Sequence, residues 1–199
     1  MAGRGMIAFL AAIAVSACGQ GAPSSAENAT AAPVPPDAPS PPDPPSAAGP
    51  TARVSQFSPV DDKACKTLEA HEETGDWVGE CPGVAGYTVE WSSSDLRDDL
   101  KLIKGSAKTA LQLPTLVANG AFNSPGPRIE WRGPAGGPPD VLIVRVHVAN
   151  SEGISDSGRL AIARLQPTPC LVAIVPPQKG QSERARAIAD GKLPDCLKG

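Results

Sequence analysis

The chain has 199 residues, with 18 Lys and Arg against 21 Asp and Glu, 23 prolines, 20 glycines and an aromatic content of only 4%. A balance so close to neutral, without a long run of either sign, excludes nucleic acid and an anionic membrane surface as electrostatic partners, because each selects a basic patch. No apolar stretch reaches the length that a bilayer-spanning helix needs.

Residues 1–17 read as a processing signal. Arg4 precedes the apolar run Met6–Val15, and Ser16 and Ala17 lead into Cys18. As a helix this run rises only about 15–18 Å, short of the roughly 30 Å hydrocarbon layer. Val15-Ser16-Ala17-Cys18 resembles the bacterial lipoprotein box. That resemblance implies a diacylglyceryl thioether on Cys18, cleavage between Ala17 and Cys18, and an added acyl chain such as palmitate on the new amino terminus. Two or three acyl chains hold a protein far more firmly than one, which binds only marginally. Residue 19 is Gly rather than the Asp that commonly retains lipoproteins at the inner membrane, so the same resemblance favours the periplasmic face of the outer membrane.

Residues 18–52 form the expected linker. "APVPPDAPSPPDPPSAAGP" contains scarcely a large apolar side chain. It buries too little surface to offset the entropy of ordering, and its prolines bias it toward extended polyproline II. It reads as a stiff tether between the lipidated cysteine and a single globular domain at 53–199.

Within that domain the period-two pattern of half-buried strands dominates. "CKTLEAHEETGDWVGEC" reads as two short strands around a polar turn at His71–Gly75. "GYTVEWSSS" puts Tyr87, Val89 and Trp91 on one side. "PRIEWRG" turns Ile129 and Trp131 inward and Arg128, Glu130 and Arg132 outward. In "DVLIVRVHVAN" Leu142, Val144, Val146 and Val148 share a face, with Val141, Ile143, Arg145 and His147 on the other, and "GRLAIARLQ" and "CLVAIV" follow. "QSERARAIADG" is the one convincing helix, with Ser182 as its cap, Glu183 at its positive end, a small apolar stripe of Ala185, Ile188 and Ala189, and Gly191 to end it. The expected fold is α+β, mainly β: a twisted antiparallel sheet of about six to eight strands backed by one C-terminal helix.

With Cys18 assigned to lipid, four cysteines remain, and four allow three pairings. Facing residues of an antiparallel hairpin lie within disulfide range, which favours Cys65 with Cys81 and leaves Cys170 with Cys196. A zinc site would prefer tight C-x-x-C spacings, and there are none.

"CKTLE", "CPGVAGYTV", "SDLRDDL", "GAFNSPGPRIEWR" and Cys170 before "LVAIV", in this order, resemble a family of small exported alphaproteobacterial proteins of unassigned function. The resemblance covers most of residues 54–190 and implies no catalytic residue, metal or cofactor.

Candidate chemistry is sparse. A hydrolase needs a base beside a nucleophile, and the chain has two histidines: His71 in the acidic turn "EAHEETGD", and His147 on the less apolar face of its strand, neither with an obvious serine or thiol partner. Asp95, Asp98 and Asp99 around Arg97 read as a turn capped by Asp95 with an Asp–Arg pair, although a hydrolase built on this cluster or on His71 remains an alternative. GxSxG, P-loop and dinucleotide signatures are absent. The most suggestive surface is the outward row Arg128, Glu130 and Arg132 beside Phe122 and Asn123, where a planar cation pair next to an aromatic ring suits a carboxylate-bearing or protein partner. The expectation is a lipid-anchored envelope protein, a non-catalytic module that binds an envelope protein or wall component. A small-molecule carrier, an enzyme inhibitor and a periplasmic hydrolase are the alternatives.

Overall fold

A computed structural model describes residues 52–150 and 158–199. The signal segment 1–17, Cys18 and all of the linker except residue 52 lie outside the described residues.

Ten strands and two helices follow one another in the order β1 (Arg53–Pro59), β2 (Lys66–His71), β3 (Asp76–Pro82), β4 (Tyr87–Ser94), β5 (Arg97–Lys104), β6 (Ala107–Ala110), α1 (Leu113–Leu116), β7 (Asn123–Pro134), β8 (Val141–Val148), β9 (Arg159–Arg164), β10 (Cys170–Val175) and α2 (Gln181–Asp190). The domain is mainly β, with a C-terminal helix and two disulfides, as its patterning requires. The strand count exceeds the expected range because β1, β5 and β6 were not recognised as strands. The sheet order is β10-β9-β8-β7-β5-β4-β3-β2, with β1 added on β7 and β6 on β5. All pairings are antiparallel except a single parallel bridge, Arg97 to Asn123, that joins β5 to β7. β7 is thus the hinge of the architecture: its first residue meets β5, and its last seven take β1 in register from Pro59–Arg128 to Arg53–Pro134.

The two parts of the sheet close on one interior. Val89, Leu100 and Leu102 pack in the same cluster as Ile129, Trp131, Leu142, Val144 and Val146. The Tyr87 and Trp131 rings lie 5.5 Å apart, and the Trp131 indole N–H donates to Ser58 Oγ at 2.9 Å. A second cluster fills the opposite face of β8, β9 and β10. There Val141, Ile143, Leu160, Ile162 and Val172 meet Ala185 and Ala189 of α2. Strand β8 is apolar on both sides because it serves both clusters.

Cys65 and Cys81 are bonded across the base of the β2–β3 hairpin, with Cα atoms 4.1 Å apart. Cys170, at the start of β10, is bonded to Cys196 beyond α2. Helix α2 departs from expectation in its cap. Gly180, at φ 71, occupies the N-cap without a side-chain bond, and Ser182 falls inside the first turn. Strand β7 runs through the Gly/Pro-rich "NSPGP", with a bulge against β8 between Pro125 and Ile129. Gly126 lies in the bulge because any Cβ there would meet the Arg145 Cβ at 3.0 Å.

Candidate functional site

The residues expected to form one interaction face divide into three environments, separated by the β7 bulge. Glu130 and Arg132 do not face solvent: their side chains are 12% and 14% exposed. Helix α2 carries their complements one turn apart. Arg186 Nε donates to Glu130 Oε1 at 2.7 Å, and Arg132 Nη2 donates to Asp190 Oδ2 at 2.6 Å. Ser55 on β1 donates to Glu130 and accepts from Arg132 Nη1, at 2.5 and 2.8 Å. Arg53 extends the network to Asp190 and Asp140. Burial pushes the Glu130 carboxyl up, but Arg186, Ser55 and Arg132 together outweigh it and hold the group below the ordinary carboxylate value. Three guanidiniums thus meet three carboxylates, and this surface is occupied by the protein's own helix.

Arg128 remains exposed, its guanidinium 5.0 Å from the Phe57 ring centroid. It borders a hollow of about 360 Å³ with Phe57, Glu130, Arg145, Leu160 and Arg186. Its inner charges are engaged: Arg186 with Glu130, and Arg145 with Gln181 Oε1 at 2.9 Å.

Phe122 and Asn123 border a different hollow, of about 320 Å³, at the parallel bridge. Its near wall is the β4–β5 turn, in which Asp95 and Leu96 both hold left-handed backbone, at φ 49 and 57. A two-residue turn of this kind matches strand twist and ordinarily selects Asn or Gly. Leu96 is 67% exposed and Phe122 42%. Behind them Asp98 is buried, paired in register with Ser93, and accepts from the Trp91 indole N–H at 3.0 Å. Burial pushes its carboxyl above the ordinary value, and the hydrogen bonds of Ser93 and Trp91 offset this only in part. No cation is paired with Asp98 among the described residues. The neighbouring Arg97 is committed to Asp95, to the Gly120 carbonyl at 2.8 Å and to the Phe122 ring at 4.9 Å. Buried Asn123 donates from Nδ2 to the Asp98 carbonyl at 2.7 Å, while its Oδ1 has no partner. Ser124 and His147, register partners on β7 and β8, complete the lining with Ala149.

The three aspartates of "SSSDLRDDL" therefore have separate roles. Asp95 sits in the turn paired with Arg97, as expected. Asp99 accepts from the backbone N–H groups of Leu100 and Leu113, both at 2.9 Å, and so fixes the start of α1. Asp98 alone reaches the hollow. His71 is exposed at the end of β2, paired with Asp76, and the acidic turn itself is 72–75 rather than His71–Gly75. Among the described residues no three His, Cys, Asp or Glu gather as metal ligands, and no hydrogen bond joins His147 or Ser124 to Asp98. Ser93, Leu96 and Ser124 carry no local signal as site residues, and His147 reads from sequence only as a strand histidine without a partner, because it is the β5–β7–β8 topology that gathers them.

No family model, curated protein or solved structure matches this chain.

Proposed function

We propose that the chain is an exported lipoprotein whose β domain is a non-catalytic binding module, tethered by the proline-rich linker to the periplasmic face of the outer membrane. The observation that carries this reading is the use of cysteine. Four of the five cysteines pair with one another in the domain, and the fifth, Cys18, is the one in the lipobox-like Val15-Ser16-Ala17-Cys18. Paired disulfides are at home in an oxidising exported compartment, and the resemblance to small exported proteins supports the same address.

Binding is favoured over hydrolysis on the geometry of the Asp98 hollow. Two serines, a histidine and an aspartate line it, but they are not hydrogen-bonded in the base-to-nucleophile relay that acyl transfer requires. An envelope protein, a wall component or a small ligand is the expected partner class. Fractionation of cells expressing the full chain tests the anchor. The native chain is expected to sediment with the outer membrane and Cys18→Ser to appear in the soluble fraction. An unchanged distribution would sink the proposal.

A further inference from the structure

We propose that the hollow between the β4–β5 turn and the start of β7 and β8 binds a protonated primary amine carried on a short apolar stem. The inference rests on the reading of the domain as a binding module and names the chemistry its site selects.

The hollow is rich in acceptors and lined by no Lys or Arg. Asp98 brings a carboxylate that is 6% exposed and has no cation paired to it, and Asn123, equally buried, brings an Oδ1 without a donor. Buried polar groups are nearly always satisfied, and buried charge is normally paired. A carboxylate that has two donors but no countercharge, beside an enclosed amide oxygen with no donor, calls for a ligand that supplies positive charge and N–H groups. An ammonium does so with three N–H groups.

The cations nearest in sequence are spent elsewhere. Arg97 is held by Asp95, Gly120 and Phe122, and Lys101 pairs with Glu90 at 2.9 Å. Burial has raised the Asp98 carboxyl, as desolvation does where no cation is paired to the group.

The rim selects the stem. Leu96 and Phe122 are two of the few large apolar side chains exposed on the described surface, and Leu96 stands there at a left-handed φ of 57 that a non-glycine residue adopts only at a cost. Strain of this kind clusters at ligand sites. The hollow, about 320 Å³ and open on one side to solvent, has room for an ammonium and several methylenes. The Arg128 hollow makes no comparable demand, because Arg186 and Arg145 there already have partners.

The test is isothermal titration of the full chain in detergent with n-butylammonium, its neutral counterpart n-butanol, its anionic counterpart n-butyrate, and acetyl-lysine amide. The inference expects saturable binding of both amines, with butanol and butyrate at least about tenfold weaker, and Asp98→Asn at least about tenfold weaker for the amines. Ser124→Lys, at an exposed position and so compatible with folding, supplies an internal ammonium and is expected to abolish amine binding while leaving the melting temperature near that of the native chain. Tighter binding of acetyl-lysine amide identifies the source as a protein side chain, and tighter binding of butylammonium identifies a free amine. Equal binding of butanol, no binding by either amine, or amine binding unaltered in Ser124→Lys overturns the inference. Cell fractionation of Cys18→Ser reads the anchor separately, so either claim can fail without the other.

Discussion

Replacing Glu130 by Gln keeps the shape of a nearly buried side chain and removes its charge from between two guanidiniums. The native carboxylate accepts from Arg186 at 2.7 and 3.1 Å and from Ser55 at 2.5 Å. A hydrogen bond to a charged group is worth about 1.5–3 kcal/mol. The Arg186 side chain is 41% exposed, so solvent screening takes the expectation to the low end, about 1.5 kcal/mol. For a domain of this size that is a fall in melting temperature of about 3–6 °C. The loss has a pH signature. Because the folded-state carboxyl is held below its ordinary value of 4.5, its contribution is present above that value and disappears as pH falls through the folded one. The gap between native and Glu130→Gln melting temperatures, followed by circular dichroism, is expected to be full near neutrality and to close in acid. The double variant with Arg186→Met is expected to show coupling between the two sites. A neutral-pH gap indistinguishable from zero, or one that stays constant into acid, would refute the role assigned to this network.

Trp131→Phe removes the indole donor to Ser58, leaves a buried hydroxyl unmet and opens space in the core. It is expected to lower stability by about 2–4 kcal/mol, read as a smaller guanidinium midpoint at an unchanged slope. Changing Cys170 and Cys196 together to Ser opens a loop of sequence separation 26 and is expected to cost about 3 kcal/mol in the chain-entropy account, measured by urea unfolding beside the native chain. Leu96→Gly relieves the left-handed strain and is expected to stabilise the domain by about 0.5–1 kcal/mol in the same assay while weakening amine binding, the trade expected where strain serves a site.

The strands that alternate without interruption were legible from sequence. Leu142 through Val148 on β8 and Tyr87, Val89 and Trp91 on β4 needed only their period, and the base of the β2–β3 hairpin brought Cys65 to Cys81. Strand β5 was masked because its opening Arg97-Asp98-Asp99 resembles a solvated turn. The real turn is confined to Asp95 and Leu96, and Leu96 holds a left-handed backbone that leucine seldom adopts. Glu130 and Arg132 read as an open charged row because their partners, Arg186 and Asp190, lie 56 and 58 residues further on. The stripe on α2 disclosed its apolar face but not the ion pairs at its edge. The Asp98 hollow was the least legible feature. One parallel bridge at Asn123 brings the β4–β5 turn to β8, and no spacing in the chain announces that contact. Phe122 and Asn123, chosen for the exposed ring beside a glycine-rich stretch, do belong to it.

The account of place and partner turns on Cys18, and intact-mass analysis of the native protein extracted from membranes tests it most directly. The expected species begins at Cys18 and carries the added mass of a diacylglyceryl group and a further acyl chain, with the other four cysteines resistant to alkylation until reduced. A species that retains residues 1–17, or one whose Cys18 thiol alkylates freely, would contradict it.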